Sequence, residues 1–144
     1  MRASRQLVGL VLALVLVAGC NQQAAATDDL IHALTDAHSA IASSILGIDL
    51  YDQHRTTRAA TETLLDDMAK QIADAERSLE PVSVTSEKTQ AERDATQAAI
   101  HVGTAALLTS RDQLDQRGAV ENVADLQSAA HQVDGLLDQL RASQ

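Results

Sequence analysis

The five histidines are the side chains of this sequence best suited to chemistry near neutral pH. They are His32, His38, His54, His101 and His131. Imidazole is the only side chain that, when unperturbed, changes charge between about pH 5 and pH 8, so a metal or acid-base site would be sought there first. None of the five lies on a regularly spaced apolar stripe.

One histidine has neighbours at a spacing typical of a weak metal site. Asp28, His32 and Asp36 follow one another at four-residue steps, so a helix places two carboxylates and an imidazole on one face. The alternative function is therefore a bundle outside the cytoplasm that binds a metal or small ligand through these residues. Ion pairing explains the same spacing, and real zinc sites gather ligands from several elements. We therefore predict no metal ligand and no cofactor.

The sequence also predicts no catalytic residue. The neighbouring carboxylates Asp66 and Asp67 are a candidate acid-base pair, but adjacent residues of a helix point in different directions and cannot readily flank one substrate. The chain has no nucleophile elbow, no Ser-x-x-Lys motif and no glycine-rich phosphate loop. We therefore expect a protein that is not an enzyme.

Four apolar stripes at three- and four-residue spacing predict four amphipathic helices. The first is Leu30, Leu34, Ala37, Ile41, Ile45 and Ile48; the second is Leu65, Met68, Ile72, Ala75 and Leu79; the third is Ala91, Ala95, Ala98, Val102 and Ala105, extended by Leu107, Leu108 and Leu114; the fourth is Val123, Leu126, Ala130, Val133, Leu137 and Leu140. Helices of similar length with short connections predict an all-α, antiparallel up-and-down four-helix bundle over residues 27–142.

Local signals predict where these helices begin and end. Thr27 before two aspartates predicts the first start, Pro81 opens a connection to residue 85, and Gly118 predicts a left-handed C-cap. Ser83, Thr85 or Ser86 caps the third helix. Residues 49–63 allow two interpretations, a turn near residues 53–57 or one continuous helix. The second gives a three-helix array with a long first helix.

The composition limits the core and the partners. The formal net charge is −9, which predicts repulsion of nucleic acid, so no nucleic-acid partner is expected. Tyr51 is the only aromatic residue, so leucine, isoleucine, valine and alanine must build a thin core. Aromatic side chains also usually supply contact area in ligand pockets, and their lack argues against such a pocket.

The N-terminus has the order of a secretory signal. Arg2 and Arg5 precede an apolar run over residues 7–17, and small residues lead to Cys20, the only cysteine. A transmembrane helix needs about 20 apolar residues, and this run ends before Asn21 with fewer. The sequence therefore favours a cleaved signal over a membrane span.

The residues Val17-Ala18-Gly19-Cys20 resemble the lipobox of bacterial lipoproteins. The resemblance implies removal of a signal peptide at residues 1–19. It also implies attachment of diacylglycerol to the sulfur of Cys20, with a further acyl chain such as palmitate on its amine in many species. Residues 20–26 would then be a lipidated N-terminus and tether, and the loss of Arg2 and Arg5 takes the formal charge from −9 to −11. The lipid anchor makes the membrane a partner.

The resemblance further implies a location in the bacterial cell envelope, facing away from the cytoplasm. Asn21 differs from the aspartate of the inner-membrane retention signal, which implies the outer membrane in a Gram-negative organism and otherwise the outer face of the plasma membrane. A non-catalytic helical domain held there is expected to have a structural or interaction role, with an envelope protein or a second copy as partner. The alanine-rich third stripe permits close helix approach, but we expect it to pack inside the bundle.

Overall fold

Four helices form the chain in the computed structural model, which describes residues 3–120 and 123–143, with side chains from residue 23 onward. They are α1 (Ala3–Asp52), α2 (Arg58–Arg77), α3 (Glu87–Arg117) and α4 (Ala124–Ala142), and those ranges contain no strand. Each helix packs against the next, α4 packs against α1, and α1 also meets α3 across the bundle. The predicted all-α four-helix bundle is confirmed.

Helix α1 is longer than predicted at its N-terminus. The prediction that it starts at Thr27 is wrong, because Thr27 lies inside α1 and its hydroxyl donates to the carbonyl of Gln23 at 3.2 Å. Residues 20–26 therefore continue the helix, and Ala26 is already buried. No glycine or proline follows Gly19 in this segment, and the alanines at 24–26 have the highest helix propensity.

The turn near residues 53–57 is confirmed, so the three-helix alternative is wrong. The backbone leaves the helical region at His54, whose φ is 57°. Thr57 then caps α2 by accepting a bond from the amide of Ala60 at 3.2 Å. The Tyr51 hydroxyl donates to the carbonyl of Gly118 at 2.7 Å, which ties this turn to the end of α3.

Both ends of α3 are built as predicted. Ser86, one of the three predicted caps, accepts a bond from the amide of Thr89 at 3.1 Å. Gly118 takes the left-handed conformation with φ 68°, and its amide donates to the carbonyl of Leu114 at 2.9 Å. A residue with a Cβ would be strained at this φ, so glycine is the preferred C-cap there.

Three of the four predicted stripes form the core. In α1, α2 and α4 the stripe residues are buried, except Ile45, Met68, Val123 and Ala130, which are partly buried against the same core. The large fully buried side chains are Leu30, Leu34, Ile41, Ile48, Leu65, Ile72, Ile100, Leu107, Leu114, Leu126, Val133 and Leu140. The core is therefore aliphatic along its whole length.

The prediction for the alanine-rich part of the third stripe is wrong, although Leu107 and Leu114, which extend that stripe, are buried as predicted. Ala91, Ala95, Ala98, Val102 and Ala105 are all exposed, as is Leu108, whereas α3 buries Thr89, Thr96, Ala99, Ile100, Gly103, Ala106, Leu107, Ser110 and Leu114. Burial of an isoleucine or leucine side chain stabilises the fold by about 1.5–3 kcal/mol, far more than burial of an alanine. The face with Ile100, Leu107 and Leu114 therefore turns inward, and the alanines turn outward.

One buried threonine of α3 gives a stability prediction. The hydroxyl of Thr96 has no hydrogen-bond partner and the residue is fully buried, so its desolvation is uncompensated. We expect Thr96→Val to raise the free energy of unfolding by about 1 kcal/mol in chemical denaturation of the purified chain. The same change at Thr89, whose hydroxyl lies 3.0 Å from that of Ser86, should lower it instead. Equal effects at both positions would contradict the assignment.

Candidate functional site

Two of the five histidines connect neighbouring helices. His38 Nε2 on α1 lies 3.1 Å from Asp134 Oδ1 on α4, and His101 Nε2 on α3 lies 3.3 Å from Glu76 Oε1 on α2. All four side chains are at least one third exposed. Exposed polar contacts between side chains contribute at most about 1 kcal/mol, so these contacts align the helices only modestly.

The proposed metal-binding trio does not form a ligand set. Asp28, His32 and Asp36 are exposed on α1. Among the residues whose side chains are described, no three histidine, cysteine or acidic side chains come together to hold a metal ion. His54 lies in the α1–α2 turn, and His131 is exposed on α4. The geometry therefore gives the alternative function no ligand cluster.

The side chains of Asp66 and Asp67, adjacent acids of α2, point in different directions, as the geometry of a helix requires. Asp66 accepts a bond from Arg111 Nε on α3 at 2.6 Å, whereas Asp67 pairs with Lys70 on its own helix at 3.0 Å. Because the two carboxylates have different partners and directions, they do not face one substrate. Asp66 also borders an acidic cleft of about 270 Å³ between α2 and α3.

Arg58 contacts Glu62 and Asp115, two of the acids that line that cleft. Its Nε bonds Glu62 Oε1 at 2.5 Å, and its Nη2 donates to the carbonyl of Asp115 at 2.7 Å. The hydrogen bond to Glu62 raises the pKa of Arg58 above its usual range, and the nearby Asp115 adds to this. The guanidinium thus serves contacts within the bundle, between the start of α2 and the last turns of α3.

The most distinctive surface is the outward side of α3, which we call the α3 outer face. It consists of Ala91, Ala95, Ala98, Val102, Ala105 and Thr109, with Leu108 at its edge. Val102 is 43% exposed and Leu108 is 41% exposed. Val84, another exposed large apolar residue, lines the same surface depression as Ala91. Three of the four exposed large apolar side chains in the described part therefore lie on or beside this face.

The α3 outer face has the chemistry of a helix-docking surface. Its residues recur at steps of four and three, the spacing of a seam between nearly parallel or antiparallel helices. Alanine side chains let two helix backbones approach closely, and no charged residue interrupts the face between Ala95 and Thr109. Sequence reasoning identified these residues but placed them inside the bundle. The heptad spacing of Ile100, Leu107 and Leu114 was the signal for the opposite orientation.

The predicted lipidation residue, Cys20, lies where α1 is described by its backbone alone, so its side chain is outside the described residues. Asn21 is in the same segment. Where side chains are described, no helix combines the length and apolar character needed to cross a membrane. Ala26 is the first buried residue that follows Cys20 in the described part.

No protein-family model matches this chain, and no match was found among the curated proteins or the solved structures.

Proposed function

We propose that this chain is a bacterial envelope lipoprotein, in which acylated Cys20 anchors a non-catalytic helical bundle that binds a protein partner. The single observation that carries the anchor is the sequence Val17-Ala18-Gly19-Cys20 after a basic and apolar leader. Two or three acyl chains hold a protein on a bilayer far better than one, because each buried methylene contributes about 0.8 kcal/mol.

The α3 outer face supports the interaction part of this proposal. A water-soluble surface usually places polar side chains outward on a helix, yet α3 presents four alanines and a valine in one line. Exposed apolar patches of this kind mark protein-protein contacts more often than scattered apolar residues do. A helix of the partner would fit this line because small side chains allow close approach.

The anchor and the bundle lie close together along the chain. Only residues 21–25 separate Cys20 from the buried Ala26. At a helical rise of about 1.5 Å per residue, this distance is about 9 Å. The bundle is therefore presented directly at the membrane surface, where an envelope partner on the same membrane would meet it.

The anchor predicts the outcome of a labelling experiment in a bacterial host. The chain should incorporate a clickable palmitate analogue and remain in the membrane fraction, whereas Cys20→Ser should lose the label and accumulate as uncleaved precursor. Loss is expected because serine has no sulfur for thioether formation. Gel mobility and mass spectrometry of the N-terminal peptide would measure both changes.

A second variant tests whether position, rather than the presence of a thiol, determines acylation. Cys20→Ser combined with Ser39→Cys carries a thiol on the exposed surface of α1 and should also remain unlabelled. The proposal would be wrong if Cys20→Ser were cleaved, labelled and retained like the parent chain.

A further inference from the structure

The contacts between helices identify which end of the bundle lies beside the anchor. The side chain of Gln71 on α2 donates to the carbonyl of Asp36 on α1 at 3.2 Å, which sets the register of these antiparallel helices. About ten residues toward the N-terminus of α1 correspond to a similar number toward the C-terminus of α2. Ala26, the first described residue after Cys20 that is buried, therefore lies level with about residue 81, in the connection between α2 and α3.

Helices α3 and α4 give the same result. Gly103 on α3 lies against the side chain of Ile41 on α1, and these two helices are parallel, so the level of Ala26 falls in the first turn of α3. Nε2 of His38 lies 3.1 Å from Oδ1 of Asp134 on α4, which is antiparallel to α1, so α4 ends near the same level. The end of the bundle beside the anchor therefore consists of the α2–α3 connection, the start of α3 and the end of α4.

The α2–α3 connection is the uncharged part of this end. Residues 81–86 contain no charged side chain. Val82 is buried in the core, whereas Val84 turns outward and is 38% exposed. The α1–α2 connection, at the opposite end of the bundle, contains Arg55 instead. The end beside the anchor therefore presents an exposed apolar side chain, on a loop without charge, toward the bilayer.

The link to the anchor is short enough for this connection to touch lipid. Residues 21–25 separate Cys20 from Ala26, and they cover about 9 Å as a helix. Acyl chains on the sulfur of Cys20 place that residue at the border between hydrocarbon and headgroups, and each headgroup layer is about 5–8 Å thick. When α1 stands on the membrane, the α2–α3 connection therefore lies at the outer edge of the headgroups.

From this placement we infer that the α2–α3 connection is the membrane-contacting surface of the bundle, with Val84 among the headgroups of the bilayer that holds Cys20. Since the anchor determines which end of the bundle faces lipid, this inference rests on the proposed function. One partly exposed valine buries too little apolar area to hold a protein on a membrane by itself. The short link to Cys20 supplies the proximity, and a loop without charge avoids the cost of desolvating charged groups.

Fluorescence quenching by labelled lipid tests this placement in the acylated full chain. The variant Val84→Cys is labelled with bimane and reconstituted in phosphatidylcholine vesicles that carry a nitroxide on the headgroup; acylated Cys20 does not react. Val102→Cys is the matched control, because it is also a valine, is 43% exposed and lies about 22 Å beyond the first residue of α3. Position 84 should lose most of its fluorescence and position 102 should keep it, whereas aqueous iodide should quench them in the reverse order.

A longer link gives a second arm. A flexible insert of about twelve glycine and serine residues after Gln23, with a reach of about 19 Å, should reduce the quenching at position 84 toward that at position 102, because the bundle can then move away from the membrane. Gln22→Ala with Gln23→Ala keeps the length and the helix propensity of the link and should leave the quenching unchanged. Quenching that survives the insert would overturn this account of the contact.

The results that contradict this contact are separate from those that contradict the anchor. Equal quenching at positions 84 and 102 overturns the inference when the same variants carry the palmitate label. Stronger quenching at position 102 also overturns it, because the bundle would then lie with the α3 outer face on the lipid. Absence of the palmitate label would contradict the proposed anchor, and the inference would fall with it.

Discussion

Replacement of Leu107 by alanine is expected to lower the free energy of unfolding by about 2–5 kcal/mol, because a fully buried leucine leaves a cavity in the core. The same change at the adjacent Leu108, which is 41% exposed, should cost about 0.5 kcal/mol or less. The two variants share their chemistry and nearly their position, so their difference reports the orientation of α3. Urea denaturation followed by circular dichroism would measure both.

This pair decides between the two orientations of α3. If the alanine stripe faced the core, as the sequence pattern predicted, Val102 would lie at the centre of the buried face and Leu107 would lie on the opposite, exposed side of α3. Val102→Ala would then cost more than Leu107→Ala. With α3 oriented as described, Val102→Ala should be close to neutral. An unfolding midpoint that moves more for Val102→Ala would contradict this orientation.

Replacement of Gly103 by valine is expected to have the second largest effect. A Cβ at residue 103 would lie 2.7 Å from Cδ1 of Ile41, which is fully buried and has little room to move. The overpacking should lower the free energy of unfolding by about 1–3 kcal/mol, despite the better helix propensity of valine. Thermal unfolding would show this as a lower melting temperature.

Gly135 provides the matched control. It also lies within a helix, and a Cβ there would meet nothing within 4 Å. Gly135→Val should therefore leave stability unchanged or raise it slightly, because valine restricts the unfolded chain more than glycine does. A similar loss of stability in both variants would show that the close approach of α1 and α3 at residue 103 is not what requires glycine.

The helix boundaries show which structural features local sequence signals can predict. The cap at Ser86, the left-handed glycine at residue 118 and the turn before Thr57 were predictable because each depends on bonds within a few residues. The prediction that α1 starts at Thr27 was wrong because the local signal at this residue allows two outcomes. A threonine can cap a helix or donate to a carbonyl one turn earlier, and the helix-forming residues before it decide which occurs.

The α3 outer face shows a second limit of prediction from the sequence, which is the choice between two apolar faces of one helix. Periodicity identified Ala91 to Ala105 as one face, but α3 has a second apolar face, and periodicity alone does not rank two faces. The packing of Ile100 and Leu107 against the other helices settles the order. A surface that sequence analysis had assigned to the interior thus became the main candidate for interaction.

By itself the sequence determined the helical class, the four apolar segments, the two caps of α3 and the lipobox-like segment that ends at Cys20, because these depend on neighbours along the chain. Only the tertiary structure decided which side of α3 is buried, which histidines meet carboxylates on other helices, and that Asp28, His32 and Asp36 stay on the surface. The physical reason is that burial is shared among helices. A face turns inward only when it excludes more apolar area than its competitor, and that comparison needs all four helices together.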